Sequence, residues 1–295
     1  MIKDLKQKYS GIFPALLTPF DKNGNVNHQV LKQLIKMNID KGVKGFYVCG
    51  STGEAFSLNE QERKEIMTTV KEYAPDCTLI AHVGSLDERQ AISLSKHAKE
   101  LEYDAISSVT PFYYKYTFDE IKEYYFRVMD SAEMPMLVYY IPAFSGVNMG
   151  TEQLGDFLNR QEIIGVKFTS NDFFTMERLR NSYKDKIVYN GYDEMMLSGL
   201  IMGADAGIGS TYNFMAEKFV DIYNLFKENN IEEAQKVQEK ANEIISILCK
   251  VGVMQAEKEI LCQMGLDFGH CRTPFKQLSD EQKLLIKNQI LSALK

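Results

Sequence analysis

Short apolar runs rich in β-branched and aromatic residues alternate along most of the chain with segments in which apolar residues recur every three or four positions. The runs predict strands, and the segments between them predict amphipathic helices. The centres of successive runs lie about 20 to 33 residues apart, which is the size of one strand–helix unit. We predict eight strands at 12–17, 45–49, 78–83, 104–109, 136–141, 164–168, 186–189 and 206–210.

Eight alternations of this kind predict a (β/α)8 TIM barrel. The main rival is a doubly wound sheet, which usually has fewer units and carries Gly-x-Gly-x-x-Gly after its first strand. That fingerprint is absent here. Beyond residue 226 the pattern predicts only helices, at 231–251, 255–264 and 279–294. We therefore predict a barrel domain over 1–226 and a C-terminal three-helix extension over 227–295, packed on the barrel.

Composition and charge limit the partners and the cellular location that we expect for this protein. Lys and Arg total 34 and Asp and Glu total 40, a net charge of −6, which disfavours nucleic-acid and anionic-membrane partners. The five cysteines are scattered without a C-x-x-C pair, which favours a reduced protein without a disulfide framework. The first ten residues lack the apolar core of a secretory signal, and no run approaches 18 apolar residues. These features predict a cytoplasmic protein.

The active groups of a barrel enzyme lie where the strands end and the βα loops converge. Lys167 stands out there, because it follows Ile163-Ile164-Gly165-Val166 in an apolar strand. Burial disfavours the charged form of a lysine, and a neutral amine can attack a ketone to form a Schiff base. The alternative is a lysine that reaches solvent or a carboxylate at the strand end. Tyr139 ends the preceding strand, so its phenol could face Lys167 and move a proton; the alternative is a core tyrosine.

Three further strand ends offer polar groups. Ser51 and Thr52 lie in a glycine-flanked turn that suits a carboxylate better than a triphosphate, although it could be an ordinary βα turn. Segment 207–210 could hold a phosphate, but Asp193 and Glu194 near the same mouth would repel one and suit a polyhydroxylated ligand. As acids at a helix start, they could also serve only the helix dipole. The four histidines lack metal-ligand spacing, so we predict no metal site.

Several motifs at these strand ends occur together and in order, which carries more weight than any one of them. They are PALLTPF at 14–20, GSTGEAF at 50–56, TPFYY at 110–114, YYIPAFSG at 139–146, NGYDE at 190–194, GIGSTYN at 207–213 and RTPF at 272–275. On these residues the chain resembles, over nearly its whole length, the pyruvate-dependent class I aldolases, the family of dihydrodipicolinate synthase and N-acetylneuraminate lyase. Within the family the resemblance is greatest to the lyases.

The resemblance implies a reaction and residue roles. It implies reversible cleavage of N-acetylneuraminate to N-acetylmannosamine and pyruvate, without a cofactor, through a Schiff base on Lys167 with Tyr139 moving the proton. It places the substrate carboxylate on Ser51 and Thr52. It implies that Tyr113 reaches the site of a neighbouring subunit in a homotetramer. Residues implied to contact the hydroxylated, N-acetylated remainder are Thr169, Gly191, Asp193, Glu194 and Ser210.

The sequence departs from the family pattern at four positions. Phe144 stands where dihydrodipicolinate synthases carry an arginine for their second substrate, which argues against that activity. Tyr140 replaces a common Asn, Phe168 a frequent Gln, and Met254 an occasional aromatic residue near the sugar tail. The open alternatives are a 2-keto-3-deoxysugar-acid lyase, a dihydrodipicolinate synthase-like enzyme, and a barrel that binds a keto acid without turnover.

Overall fold

The fold is a barrel of eight parallel strands, in a computed structural model that describes residues 2–294. Neighbouring strands pair in the order β1-β8-β7-β6-β5-β4-β3-β2, and a parallel bridge between Ala15 and Tyr47 joins the two ends. The predicted (β/α)8 barrel is thereby confirmed. The strands are β1 Gly11–Pro14, β2 Gly45–Val48, β3 Thr78–His82, β4 Ala105–Val109, β5 Met136–Tyr140, β6 Ile163–Phe168, β7 Ile187–Asn190 and β8 Ala206–Gly209.

Helices follow the strands and then continue into a strand-free C-terminal part. The helices of the barrel part are α1 Ile2–Tyr9, α2 His28–Asp40, α3 Glu60–Tyr73, α4 Glu88–Glu100, α5 Phe118–Ala132, α6 Pro142–Ser145, α7 Thr151–Leu158, α8 Phe173–Ser182, α9 Met196–Ile201 and α10 Tyr212–Lys227. Those of the C-terminal part are α11 Ile231–Val251, α12 Val253–Gln263, α13 Asp280–Leu285, a π-helical turn Ile286–Ile290 and α14 Leu291–Ala293. Each helix among residues 2–294 is too short or too polar to cross a bilayer.

Local signals in the sequence place several helix starts. At α3, the Asn59 side chain accepts a hydrogen bond from the Glu62 N–H (2.9 Å), and the Glu62 carboxylate accepts one from the Asn59 N–H (2.9 Å). This reciprocal capping satisfies two N–H groups that a helix start leaves without partners. The pattern does not predict α1. It also extends β1 too far, because Leu17 leaves the sheet and donates its N–H to Asn213 Oδ1.

Two apolar layers hold the barrel together. One fills the barrel interior, where Phe13 and Tyr189 meet edge-to-face with ring centroids 5.5 Å apart. The other lies between the strands and the helices and continues without interruption into α11 and α12 through Leu248 and Ile260. The predicted boundary after residue 226 falls in the last turn of α10. The division into two domains stays a prediction.

The register of the sheet determines which side chains meet at the barrel mouth. Val109, Tyr139, Lys167 and Tyr189 are paired in sequence across β4, β5, β6 and β7. Residues at the same level of adjacent parallel strands point to the same face of a sheet. These four side chains therefore share the barrel interior, near the carboxyl ends of their strands.

Candidate active site

Lys167 lies at the centre of the mouth and is 5% exposed. Its Nζ is 3.7 Å from the centroid of the Tyr139 ring and 5.2 Å from that of Tyr47. Among the described residues, its ammonium contacts only these aromatic rings and makes no ion pair or hydrogen bond. The amine is therefore buried, in contact with aromatic rings and open to a ligand, which is what attack on a carbonyl carbon requires.

Tyr139 is held by ring packing rather than by its hydroxyl. Its ring meets Tyr47 edge-to-face at 6.0 Å and His82 at 6.1 Å. His82 is itself fixed, since its Nδ1 lies 2.9 Å from the Cys49 carbonyl oxygen and its Nε2 accepts the Val109 N–H (3.2 Å). Burial lowers the pKa of His82 to about 3, so the imidazole is neutral. The Tyr139 ring thus has rigid neighbours, and its hydroxyl makes no hydrogen bond within residues 2–294.

The turn after β2 presents two hydroxyls and two backbone donors. Within this turn Gly53 N–H bonds to the Gly50 carbonyl (3.1 Å) and Glu54 N–H to the Ser51 carbonyl (3.0 Å). The N–H groups of Ser51 and Thr52 donate to no acceptor in the described part of the chain, and both residues line the cavity above Lys167. Four donors in one short turn can hold a carboxylate.

The Glu54 side chain anchors this turn to the C-terminal part of the chain. Its carboxylate pairs with Lys258 Nζ of α12 at 2.5 Å and accepts the Arg272 N–H at 2.8 Å. Glu54 and Lys258 are both buried, at 4% and 1% exposure. The barrel mouth is therefore completed by residues outside the eight strand–helix units.

A cavity of about 260 Å³ lies over Lys167 and is bordered by the mouth loops and by α11 and α12. An apolar cavity of about 460 Å³ adjoins it and shares Ser51, Ile141 and Phe144 with it. The structure brings nine of the ten residues singled out in the sequence to the first cavity. They are Ser51, Thr52, Tyr139, Lys167, Thr169, Gly191, Asp193, Glu194 and Ser210.

Tyr113 lies apart from that cavity. It is 83% exposed on the loop after β4, with a φ of 83° and its ring against Tyr114. Within a single chain it does not border the space above Lys167. Its expected contact with a neighbouring subunit's site stays a prediction.

Thr169 is a buried polar side chain that faces the cavity without a partner. It is 3% exposed, and its Oγ1 has no hydrogen bond within residues 2–294. A Cβ on Gly191 would lie 1.9 Å from this oxygen, so only glycine fits beside it. Buried hydroxyls are nearly always hydrogen-bonded, which marks Thr169 as a position for a ligand.

Asp193 is only partly available to a ligand. Its Oδ2 accepts hydrogen bonds from the Thr211 N–H (2.8 Å) and the Thr211 hydroxyl (2.6 Å). Burial raises the pKa of Asp193 to about 6. The expectation that Asp193 contacts substrate hydroxyls must therefore allow for one oxygen already used to hold the β8 loop. Glu194 borders the same cavity, and its carbonyl oxygen accepts from Asn242 Nδ2 at 3.1 Å.

A carboxyl group that sequence reasoning missed lies behind Ser210. Glu257 of α12 is fully buried and accepts the Ser210 hydroxyl at 2.6 Å. Its position three and four residues before Ile260 and Leu261 puts it on the apolar face of the helix, a signal that could have identified it. Asp193 holds the adjacent Thr211 hydroxyl at 2.6 Å and borders the same cavity as Ser210, so two carboxyl groups lie close to segment 207–210. This surrounding disfavours the phosphate alternative for segment 207–210.

Comparison with solved structures gives consistent relatives. The Clostridium difficile protein CdNal, solved with mannosamine, is 41% identical with a TM-score of 0.94, covering 97% of this chain and 99% of that one. N-acetylneuraminate lyase from Fusobacterium nucleatum, solved with pyruvate, is 39% identical with a TM-score of 0.93, covering 98% of each chain. A catalytic lysine mutant of Ruminococcus gnavus sialic acid aldolase is 30% identical with a TM-score of 0.93, covering 97% of each chain.

Fold and site together are those of a class I aldolase-type barrel, in which a buried amine and a phenol meet above the strands. The model of the dihydrodipicolinate synthetase family matches residues 8–293. The chain belongs to this family. The sequence-based assignment to it is confirmed.

Proposed function

We propose that this protein is an N-acetylneuraminate lyase, which reversibly cleaves N-acetylneuraminate into N-acetylmannosamine and pyruvate. The observation that carries the proposal is the buried amine of Lys167 against the ring of Tyr139. The cavity above this amine is lined by hydrogen-bond donors for a substrate carboxylate, at Ser51 and Thr52, and by other carboxyl and hydroxyl groups. Relatives solved with mannosamine and with pyruvate support it, because these are the two kinds of fragment that such a cleavage releases.

The reaction begins with covalent capture of the keto acid. The free amine of Lys167 adds to the C2 ketone of the open-chain substrate, and the resulting carbinolamine takes up a proton from water and loses its hydroxyl as water to give an iminium ion. The positively charged iminium withdraws electrons from C3. The relative described as a catalytic lysine mutant supports the assignment of this role to a lysine. Apart from its own substrate, the step needs no cofactor.

Bond cleavage then follows from the position of the phenol. The Tyr139 phenol passes its own proton to the substrate carboxylate and takes up the proton of the C4 hydroxyl as the C3–C4 bond breaks. The aldehyde of the amino sugar leaves, and the bonding electrons form an enamine with the former iminium. Protonation at C3 and hydrolysis by water release pyruvate and restore the amine. In this scheme the iminium serves as the electron sink.

The two ends of the substrate need different partners. The turn with Ser51 and Thr52 offers N–H and O–H donors to the carboxylate. At the other end Thr169 offers an unpartnered hydroxyl. Glu194 and Ser210, with backbone at Gly191 and the remaining oxygen of Asp193, complete the contacts to the hydroxylated remainder.

Residue 144 separates this activity from that of dihydrodipicolinate synthases. Phe144 borders the cavity and is 75% exposed. Because its phenyl ring is uncharged, this position offers no positive charge to a second carboxylate. A 2-keto-3-deoxysugar-acid lyase remains the alternative within the family, because it would use the same imine. A homotetramer in which Tyr113 completes a neighbouring site, a cytoplasmic location and a role in sialic acid catabolism belong to the same proposal.

The test is pyruvate release, coupled to lactate dehydrogenase, from N-acetylneuraminate and from a 2-keto-3-deoxysugar acid at equal concentrations. Condensation of pyruvate with aspartate semialdehyde is assayed in parallel. We expect the highest kcat/KM with N-acetylneuraminate and no condensation product. A higher kcat/KM with the shorter sugar acid would contradict the proposal in favour of the alternative lyase.

A further inference from the structure

Glu257 is in an unusual position for a carboxyl group. It is 0% exposed on the face of α12 that also buries Ala256, Ile260 and Leu261. Within residues 2–294 its Oε1 has one partner, the Ser210 hydroxyl at 2.6 Å, and its Oε2 has none. Acidic residues are almost never fully buried unless they are paired, so this arrangement calls for a reason other than packing.

The neighbouring cation does not supply that reason. Lys258 follows Glu257 directly, but its Nζ pairs with Glu54 of the β2 turn at 2.5 Å. Burial and the nearby Asp193 raise the pKa of Glu257 to about 8. A leucine of similar size would avoid the cost of burying this carboxyl. Consecutive residues of α12 thus contact two different mouth loops, Lys258 the β2 turn and Glu257 the β8 loop.

The contact determines what Ser210 can offer to a ligand. A serine hydroxyl has one proton to donate and two lone pairs to accept with. Glu257 accepts the Ser210 proton at Oε1 both when it is ionised and when it is protonated on the unpartnered Oε2, so only the lone pairs of Ser210 remain for the cavity that it borders. Ser210 can then bind a group that donates a hydrogen bond, such as a sugar hydroxyl or an amide N–H. It cannot donate to a phosphate or carboxylate oxygen.

We propose that Glu257 is a specificity-determining positioning residue, which directs the Ser210 hydroxyl away from the cavity and makes it an acceptor for hydroxyl or amide donors of the sugar portion. The inference deepens the proposed function and rests on it, because it assumes that a polyhydroxylated keto acid occupies this cavity. It also places part of the selectivity of the barrel in the C-terminal helices.

The test compares four variants: Glu257→Leu, Glu257→Gln, Ser210→Ala, and the double variant Ser210→Ala/Glu257→Leu. Loss of one neutral hydrogen bond corresponds to about a fivefold rise in KM for the sugar acid, with kcat nearly unchanged. We expect this rise in Glu257→Leu and in Ser210→Ala, and no further rise in the double variant. Glu257→Gln keeps an acceptor oxygen, so its KM lies closer to that of the wild type than to that of Glu257→Leu.

A merely structural role would give different results. It would lower kcat and the affinity for pyruvate in the imine-trapping reaction together with the affinity for the sugar acid. A wild-type KM in Glu257→Leu, or multiplying effects in the double variant, would overturn the inference. Absence of pyruvate release from N-acetylneuraminate would instead overturn the proposed function. In that case the Glu257 variants are compared with the 2-keto-3-deoxysugar acid as substrate, so that failure of the proposed function is distinguished from failure of the inference about Glu257. If the protein turns over neither acid, both claims are overturned.

Discussion

Replacing Tyr139 with phenylalanine separates proton transfer from imine formation. The change removes one oxygen and keeps the ring that lies 3.7 Å from Lys167 Nζ and packs against Tyr47 and His82. The lost hydroxyl makes no hydrogen bond to residues 2–294, so we expect the free energy of unfolding to fall by less than about 1 kcal/mol. The geometry around the amine should therefore persist.

The expected loss is in the cleavage step. Positioned general acid–base groups contribute about 10²- to 10⁴-fold, which corresponds to about 2.7 to 5.4 kcal/mol in the activation free energy. We expect kcat for pyruvate release to fall within that range, while borohydride still traps pyruvate on Lys167. Coupled turnover and mass spectrometry measure the two effects on the same preparation.

Tyr140→Phe is the matched control. Tyr140 is the next residue of β5 and packs outside the barrel interior, where its ring contacts Phe168 at 5.2 Å. Its kcat should stay within about twofold of the wild type, as expected for a change away from the reacting atoms. Near-normal turnover by Tyr139→Phe, or an equal loss in Tyr140→Phe, would refute the assignment of proton transfer to Tyr139.

Two further predictions concern buried ionisable groups. Lys258→Met leaves the Glu54 carboxylate buried without its cation, so chemical denaturation should show that the free energy of unfolding falls by about 3 kcal/mol. The control Lys240→Met, at an exposed lysine, should lower it almost not at all. Equal losses in the two variants would contradict a stabilising role for the Glu54–Lys258 pair. The folded-state pKa of Glu257 is raised to about 8. The folded protein therefore keeps a proton that the unfolded chain releases once the pH exceeds the ordinary pKa of glutamate. The contribution of this group to the free energy of unfolding consequently falls as the pH rises towards 8. Glu257→Gln should remove that part of the pH dependence. If the unfolding free energies of the variant and the wild type ran parallel against pH, Glu257 would be ionised in the folded protein and this prediction would be wrong.

The hydrophobic pattern contains enough information for the barrel and for the centre of its site. Short apolar runs determine the strands, and parallel strands bring their carboxyl ends together, so the sequence alone predicts that Lys167 and Tyr139 meet. The exact end of β1 could not be predicted, because Leu16 and Leu17 are as apolar and buried as the strand residues although the strand ends at Pro14. The helix α1 was missed because its charged residues hide the spacing of Leu5 and Tyr9, which pack against the barrel interior.

The expectation that active groups of a barrel lie at its strand ends does not predict the contribution of α12 to the site. Glu257 and Lys258 reach the mouth from a helix that follows the barrel, over sequence separations of 47 and 204 residues to Ser210 and Glu54. Neither residue lies in a recognisable motif. Only the presence of charged residues on an apolar helix face indicates that they are buried, and that signal does not say which loop they contact.

The central claim, a Schiff base on Lys167, is tested most directly by incubation with pyruvate and borohydride followed by peptide mapping. Lys186 serves as an internal control, because it is also buried but donates its Nζ to the Arg160 (2.9 Å) and Ile163 (2.7 Å) carbonyl oxygens. We predict a reduced pyruvate adduct on Lys167, none on Lys186, and none anywhere in Lys167→Ala. An unmodified Lys167 in the wild type, or an adduct that persists in Lys167→Ala, would contradict the account.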